Sequence, residues 1–305
     1  MSAPSRRFAV SPRTYRHISL VAALFIAVII VSGAAVRLTE SGLGCPSWPN
    51  CAPGRLTPRS ASDVNGMIEF VNRAFTGLVS LAVIVAVLGA CFRRPYRRDL
   101  VWLSLGLVAG VIGQIVLGGI TVLVDLHPVA VMSHFLLSML LLADAIVLYH
   151  RAGVPDGAVE RPAVDRRIVR MGWVLVTVVS VVVVTGSVVT NTGPHAGDAE
   201  AKRFDLYLPS VARAHAGSAI VLLVLILVVG FVAFRFGVPH RLERGLTVLF
   251  AVVVAQGAIG YIQYFNGVPA LLVGFHVAGA TAVFAATLAF ALSTYRPVPA
   301  SEGAA

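Results

Sequence analysis

Apolar blocks of about 20 residues recur along this chain, one of them VAVMSHFLLSMLLLADAIVLY at 129–149. A helix of that length crosses about 30 Å of hydrocarbon. Inside lipid only a helix or a closed barrel satisfies its own backbone hydrogen bonds. The blocks predict eight transmembrane helices over 18–36, 68–91, 100–123, 128–149, 169–190, 211–234, 246–265 and 270–293. With 57% hydrophobic and only 12% charged residues, the chain falls far below the roughly 25% charge of a soluble domain. The first block follows Arg6, Arg7, Arg13 and Arg16, the layout of a secretory signal peptide. Its apolar run is long for that purpose, and its end resembles the end of the fifth block, so it reads as a retained helix.

The net charge of +10 does not call for nucleic acid, because its distribution explains it. An even number of spans puts both termini on one side. That side holds the arginine clusters 93–98, 151–170 and 235–244 as well as the N-terminal four. The positive-inside rule then makes it the cytoplasmic side. Cys45 and Cys51 share the first outer loop in CPSWPNC, and Cys91 stands alone on the cytoplasmic side. A close pair on an oxidising face can form a disulfide; the alternative is two free loop thiols.

The segment 151–168 is rich in charge, Pro and Gly and reads as a cytoplasmic linker between two similar halves. VSGAAVR ends the first span and VTGSVVT the fifth; GQIVLGG in the third matches AQGAIGY in the seventh. Gln114 precedes His134, and Gln256 precedes His276, by the same interval. Four spans per half keep the halves in one orientation, so the repeat is parallel, with a pseudo-twofold along the membrane normal. The predicted fold is all-α, a polytopic membrane protein of two four-helix bundles. The N-terminal tail is 1–17, the bundles are 18–150 and 169–293, and the C-terminal tail is 294–305.

Three histidines fall inside apolar helices: His134, His215 and His276. An ionisable residue at such depth is a functional candidate, and an interhelical hydrogen bond is its bland alternative. His215 and His276 lie at similar depth on two helices of one bundle, which suits bis-histidine haem ligation. The repeat maps His276 onto His134 and His215 onto Asn72, in agreement to within one residue. The first-half site therefore presents an amide where an imidazole is expected. Glu69 lies one turn outward of Asn72. It is either an interfacial charge paired with Arg73 or a carboxylate beside a porphyrin edge. Arg37, Arg73 and Arg213 stand on the outer margin, where haem propionates could find cations.

Taken in order, ESGLGCPSWPNC, EFVNR, SHFLLS, ARAHAGSA and GFHVAG resemble haem A synthase over about 18–293. The resemblance implies an eight-helix cell-membrane enzyme that oxidises a methyl group of haem O to a formyl group, giving haem A for terminal cytochrome oxidase. It implies a haem b between His215 and His276 and substrate haem O in the first bundle. Glu69 would be catalytic, with His134, Arg73 and Asn72 at the substrate. Cys45 and Cys51 match the family's outer-loop disulfide pair. Haem O synthase is the implied supplier, and an electron acceptor is also implied; both haem sites lie toward the outer face. Two positions depart from the family. Asn72 replaces the histidine of its Glu-x-x-His-Arg motif, and residues 191–210 lack a second cysteine pair. The rival reading is a di-haem b-type electron carrier that leaves haem unmodified. Such a carrier calls for ligand pairs near both faces, and here both sites lie on one side.

Overall fold

The computed structural model describes residues 9–299; Arg6 and Arg7, and the tail beyond 299, lie outside the described residues. Among the described residues, eight helices are long and apolar enough to cross a membrane. They are α1 (Pro12–Leu38), α2 (Val64–Phe92), α3 (Arg98–Leu123), α4 (Pro128–Ala152), α5 (Arg166–Thr192), α6 (Leu208–Phe236), α7 (His240–Phe265) and α8 (Ala270–Ser293). The protein is a multi-pass membrane protein. Seven of these helices outrun their apolar blocks, and polar side chains cap the N-termini of α1, α2 and α5. The Ser11 hydroxyl accepts from Thr14 N–H at 3.1 Å, and the Asp63 carboxylate accepts from Gly66 N–H at 2.9 Å. Hydropathy marks the lipid-crossing part of each helix, not its cap. α7 accordingly begins six residues before its predicted span, with Glu243 in its first turn.

The interhelical contacts close into two rings. One runs α1–α2–α3–α4 and back to α1; the other runs α5–α6–α7–α8 and back to α5. The halves meet through α1 with α8, its counterpart α4 with α5, and α4 with α8. This is the pattern of a parallel repeat with a central pseudo-twofold. α1 packs on α2, α4 and α8 and buries Ala22, Ile26 and Ile30, so it is a structural member of the first bundle. In α2 the smaller side chains face inward and the larger ones face outward: Val79, Val83, Ala86 and Ala90 are buried, while Leu81, Ile84 and Leu88 are exposed. That division follows from the solvent: lipid is as apolar as leucine, so helices associate by close packing of small side chains.

Outside the membrane the fold departs from an all-helical plan. The segment read as a linker carries strand β1 (Ala158–Pro162), which pairs antiparallel with β2 (Tyr295–Pro299). The arginine-rich ends of the helices hold this small sheet in place. Arg151 bridges Asp99 at 2.9 Å and Glu160 at 2.6 Å, and His150 meets Glu160 at 2.6 Å. Arg93 is buried and reaches Asp156 at 2.8 Å. Charges that sequence patterning read only as an orientation signal also dock the connecting segment.

On the opposite face Arg37, at the end of α1, ties the halves together. Its guanidinium donates to the carbonyls of His195 and Thr190 and to Asn191 Oδ1, the last two at 2.8 and 3.2 Å. The His195 ring in turn bonds the Val268 carbonyl at 2.8 Å.

Burial raises the Glu160 carboxyl pKa, but the hydrogen bonds and charges of His150 and Arg151 outweigh it and hold the group below its ordinary value. A depressed carboxyl stabilises the fold above its unfolded pKa, and that stability is lost as pH falls through the folded value. Thermal unfolding in detergent should therefore show stability declining as pH is lowered below about 4. Glu160→Gln should flatten that decline while leaving the eight-helix content unchanged.

Candidate functional site

In the second bundle the rings of His215 and His276 face each other across a gap. Their centroids are 6.2 Å apart and their planes 84° to one another. An imidazole nitrogen sits about 2 Å from a transition metal it ligates, so two such bonds plus two half-rings span roughly 6 Å. Thr185 Oγ1 lies 3.2 Å from Nδ1 of His215. With Nδ1 donating to that hydroxyl, Nε2 keeps its lone pair free for a ligand. Nδ1 of His276 is buried without a hydrogen-bond partner among the described residues. No third His, Cys, Asp or Glu joins the pair among the described residues, so the donor set suits an axial haem pair rather than tetrahedral zinc. Glycine backbones support both rings. A Cβ on Gly186 would stand 2.9 Å from Cε1 of His215, and one on Gly260 would stand 3.0 Å from Cε1 of His276.

The first bundle repeats this frame. Gln114 Nε2 donates to the His134 carbonyl at 3.1 Å, as Gln256 Nε2 does to the His276 carbonyl at 2.5 Å. Gly118 supports Cε1 of His134, with its Cβ position 3.3 Å away, and Nδ1 of His134 is likewise a buried orphan. Ser32 takes the place of Thr185: its hydroxyl donates to Asn72 Oδ1 at 2.8 Å. The frame is duplicated, and one of its four ligand positions carries an amide.

Glu69 is 6% exposed and fully engaged. Oε2 accepts the Cys45 N–H at 2.7 Å; Oε1 accepts Arg73 Nε at 3.0 Å and Arg73 Nη2. Arg73 also donates to the carbonyls of Cys45, Ser47 and Asn50, at 3.0, 3.1 and 3.3 Å. Of the two sequence readings of Glu69, the pairing with Arg73 is present, and its partner network is the disulfide loop itself. Cys45 and Cys51 are bonded. Within that loop Trp48 packs on α3, its Cδ2 2.8 Å from the Cβ position of Gly119. Gly119 adjoins Gly118, on which His134 rests, so the loop docks on α3 one residue from the support of the His134 ring.

Residues 16–199 match the cytochrome oxidase assembly protein family, COX15-CtaA. The chain belongs to this family. Its similarity to the heme A synthase of Staphylococcus haemolyticus is 23% identity over 296 residues, covering 94% of this chain and 97% of that one. The Staphylococcus epidermidis heme A synthase is 24% identical over 289 residues, covering 92% and 95%. The Shewanella oneidensis heme A synthase is 29% identical over 143 residues, 42% of each chain. The family match covers the first bundle and α5, including Glu69, Asn72, Arg73 and His134.

The structure brings His215 to His276 and Glu69 to Arg73, two pairings that the sequence put forward. The Cys45–Cys51 loop joins the second pair, which the sequence did not indicate. The structure redistributes the outer arginines, since Arg37 and Arg73 are engaged by protein acceptors while Arg213 is exposed and donates to Ser210 Oγ at 3.2 Å. Sequence reasoning missed Ser32, Thr185 and Trp48. The shared Ser/Thr-Gly pair at the ends of α1 and α5 was the available signal for the first two. It also passed over Asp144 in α4, whose carboxylate lies against Gly106, with 2.6 Å from Oδ2 to the Cβ position there.

Removing Arg73 leaves the Glu69 charge buried and unpaired, a change that costs about 3–5 kcal/mol. Arg73→Ala should lower thermal stability in detergent and speed modification of Cys45 and Cys51 by maleimide under mild reductant. Arg213→Ala should do neither.

Proposed function

We propose that the protein is a haem A synthase, which takes haem O into its first bundle and oxidises a ring methyl group to a formyl group. The observation that carries this reading is the imidazole gap between His215 and His276, one iron wide, in a chain of this family. In the second bundle these two histidines hold a haem b, oriented by Thr185, Gly186 and Gly260. A haem there supplies one-electron redox capacity when bound.

In the first bundle His134 takes the substrate iron, its ring set by Gly118 and its helix by Gln114. The loop carrying Trp48 excludes water from the outer end of the site. Arg73 and the Cys45 N–H fix the Glu69 carboxylate, which accepts a proton as the methyl group is oxidised. Oxidation of a methyl to a formyl group removes four electrons and four protons and adds one oxygen from water, so a fixed carboxylate has repeated proton work at one place. The electrons leave to an external acceptor, and haem O arrives from a haem O synthase. Arginine asymmetry supports a cell-membrane orientation with both termini cytoplasmic and both sites toward the outer face.

The test is pigment extraction after co-expression with a haem O source. Wild-type membranes should yield haem A; unchanged haem O from folded protein rejects the activity. Two low-spin haems without conversion would instead mark an electron carrier. Glu69→Gln should lower conversion about 100-fold while the low-spin spectrum of the second bundle persists. His215→Ala and His276→Ala should each abolish that spectrum.

A further inference from the structure

The two halves hold their second ligand position by the same device, with different chemistry at its tip. In the second half the Thr185 hydroxyl lies 3.2 Å from Nδ1 of His215, whose ring centroid stands 6.2 Å from that of His276. In the first half the Ser32 hydroxyl donates to Oδ1 of Asn72. With Oδ1 engaged, the remaining group of that side chain is the NH₂, which makes no hydrogen bond among the described residues. An amide nitrogen has no lone pair to offer iron, but it has two protons to donate. The site is also roomier than its counterpart. A Cβ on Gly186 would crowd His215 at 2.9 Å, whereas one on Gly33, the equivalent glycine of α1, meets nothing within 4 Å. His134 keeps the whole frame of His276, through Gln114 and Gly118.

We propose that the first bundle binds haem through His134 alone and that the Asn72 amide, aimed by Ser32, donates a hydrogen bond to a small ligand on the opposite face of the iron. The ligand class is a small hydrogen-bond acceptor, anionic or diatomic, that the second bundle excludes by closing both positions with imidazole. This rests on the reading that the first bundle takes a haem. Asn72 is a ligand-binding residue in this scheme, and Ser32 is its positioning residue.

The experiment uses the purified full-length protein, loaded with ferric haem in detergent and titrated with fluoride, an anion that depends strongly on a hydrogen-bond donor. Ferrous protein is titrated with carbon monoxide, which depends on one weakly. The low-spin haem of the second bundle is the internal control for folding. Wild type should show one low-spin haem and one high-spin haem that binds fluoride. Asn72→Leu should weaken fluoride at least tenfold, change carbon monoxide affinity much less and raise the bound carbon monoxide stretching frequency. Ser32→Ala, a small change that leaves Asn72 in place, should weaken fluoride by a smaller factor. Asn72→His should convert the site to low spin and abolish fluoride binding.

Two low-spin haems in wild type, or fluoride affinity unchanged in Asn72→Leu, would overturn the proposal while leaving haem binding in the first bundle intact. A stoichiometry of one haem that His134→Ala does not alter would overturn both this proposal and the functional reading beneath it.

Discussion

A polar side chain inside hydrocarbon has no water to return to, so it must find its partner within the protein. The architecture of the membrane core turns on this constraint. Each imidazole is set between helices at a place where a neighbouring backbone is bare enough to receive its edge. For His215 a hydroxyl also fixes the tautomer from behind. The two rings of the second bundle then stand with their centroids 6.2 Å apart and their planes 84° to one another. The same constraint makes Glu69 and Arg73 a closed unit: the carboxylate and guanidinium satisfy one another, and their spare capacity goes to the backbone of the disulfide loop. That unit couples a loop outside the membrane to a helix within it.

The duplicated frame separates scaffold from chemistry. Gln114 and Gln256 clamp equivalent carbonyls, Gly118 and Gly260 support equivalent rings, and Ser32 and Thr185 reach equivalent side chains. These residues hold geometry, and both halves keep them. The residue at the tip of α2 or α6 decides what the geometry does, and there the halves differ. On the proposed reading of the two sites, one such position changes a closed coordination site into an open one without repacking the bundle. The central α1, α4, α5 and α8 then hold the two sites at fixed separation, and Arg37 locks their outer ends.

Much of this was legible in the chain because the informative features are local or periodic. Span number follows from block length. The repeat follows from Gln and His at one interval, and His134, His215 and His276 stand out against apolar neighbours. The connecting segments were harder to read. β1 and β2 are short, lie far apart in the chain and carry no alternating pattern, and each forms only because the other is docked beside it. The Trp48 contact with Gly119 and the reach of Arg37 to three acceptors likewise depend on loops whose paths no periodicity encodes.

Sequence by itself determined that this chain crosses a membrane eight times in two like-oriented halves, and that imidazoles lie at depth in three helices. Hydrophobic length and the cost of burying an ionisable group are properties of residues and their order. Tertiary structure alone decided which imidazoles face each other, that Glu69 is held by a loop N–H as well as by Arg73, and that Asn72 is turned by Ser32. Those are facts of direction and distance. They are fixed when helices pack to within a glycine's breadth of one another, and composition carries no record of them.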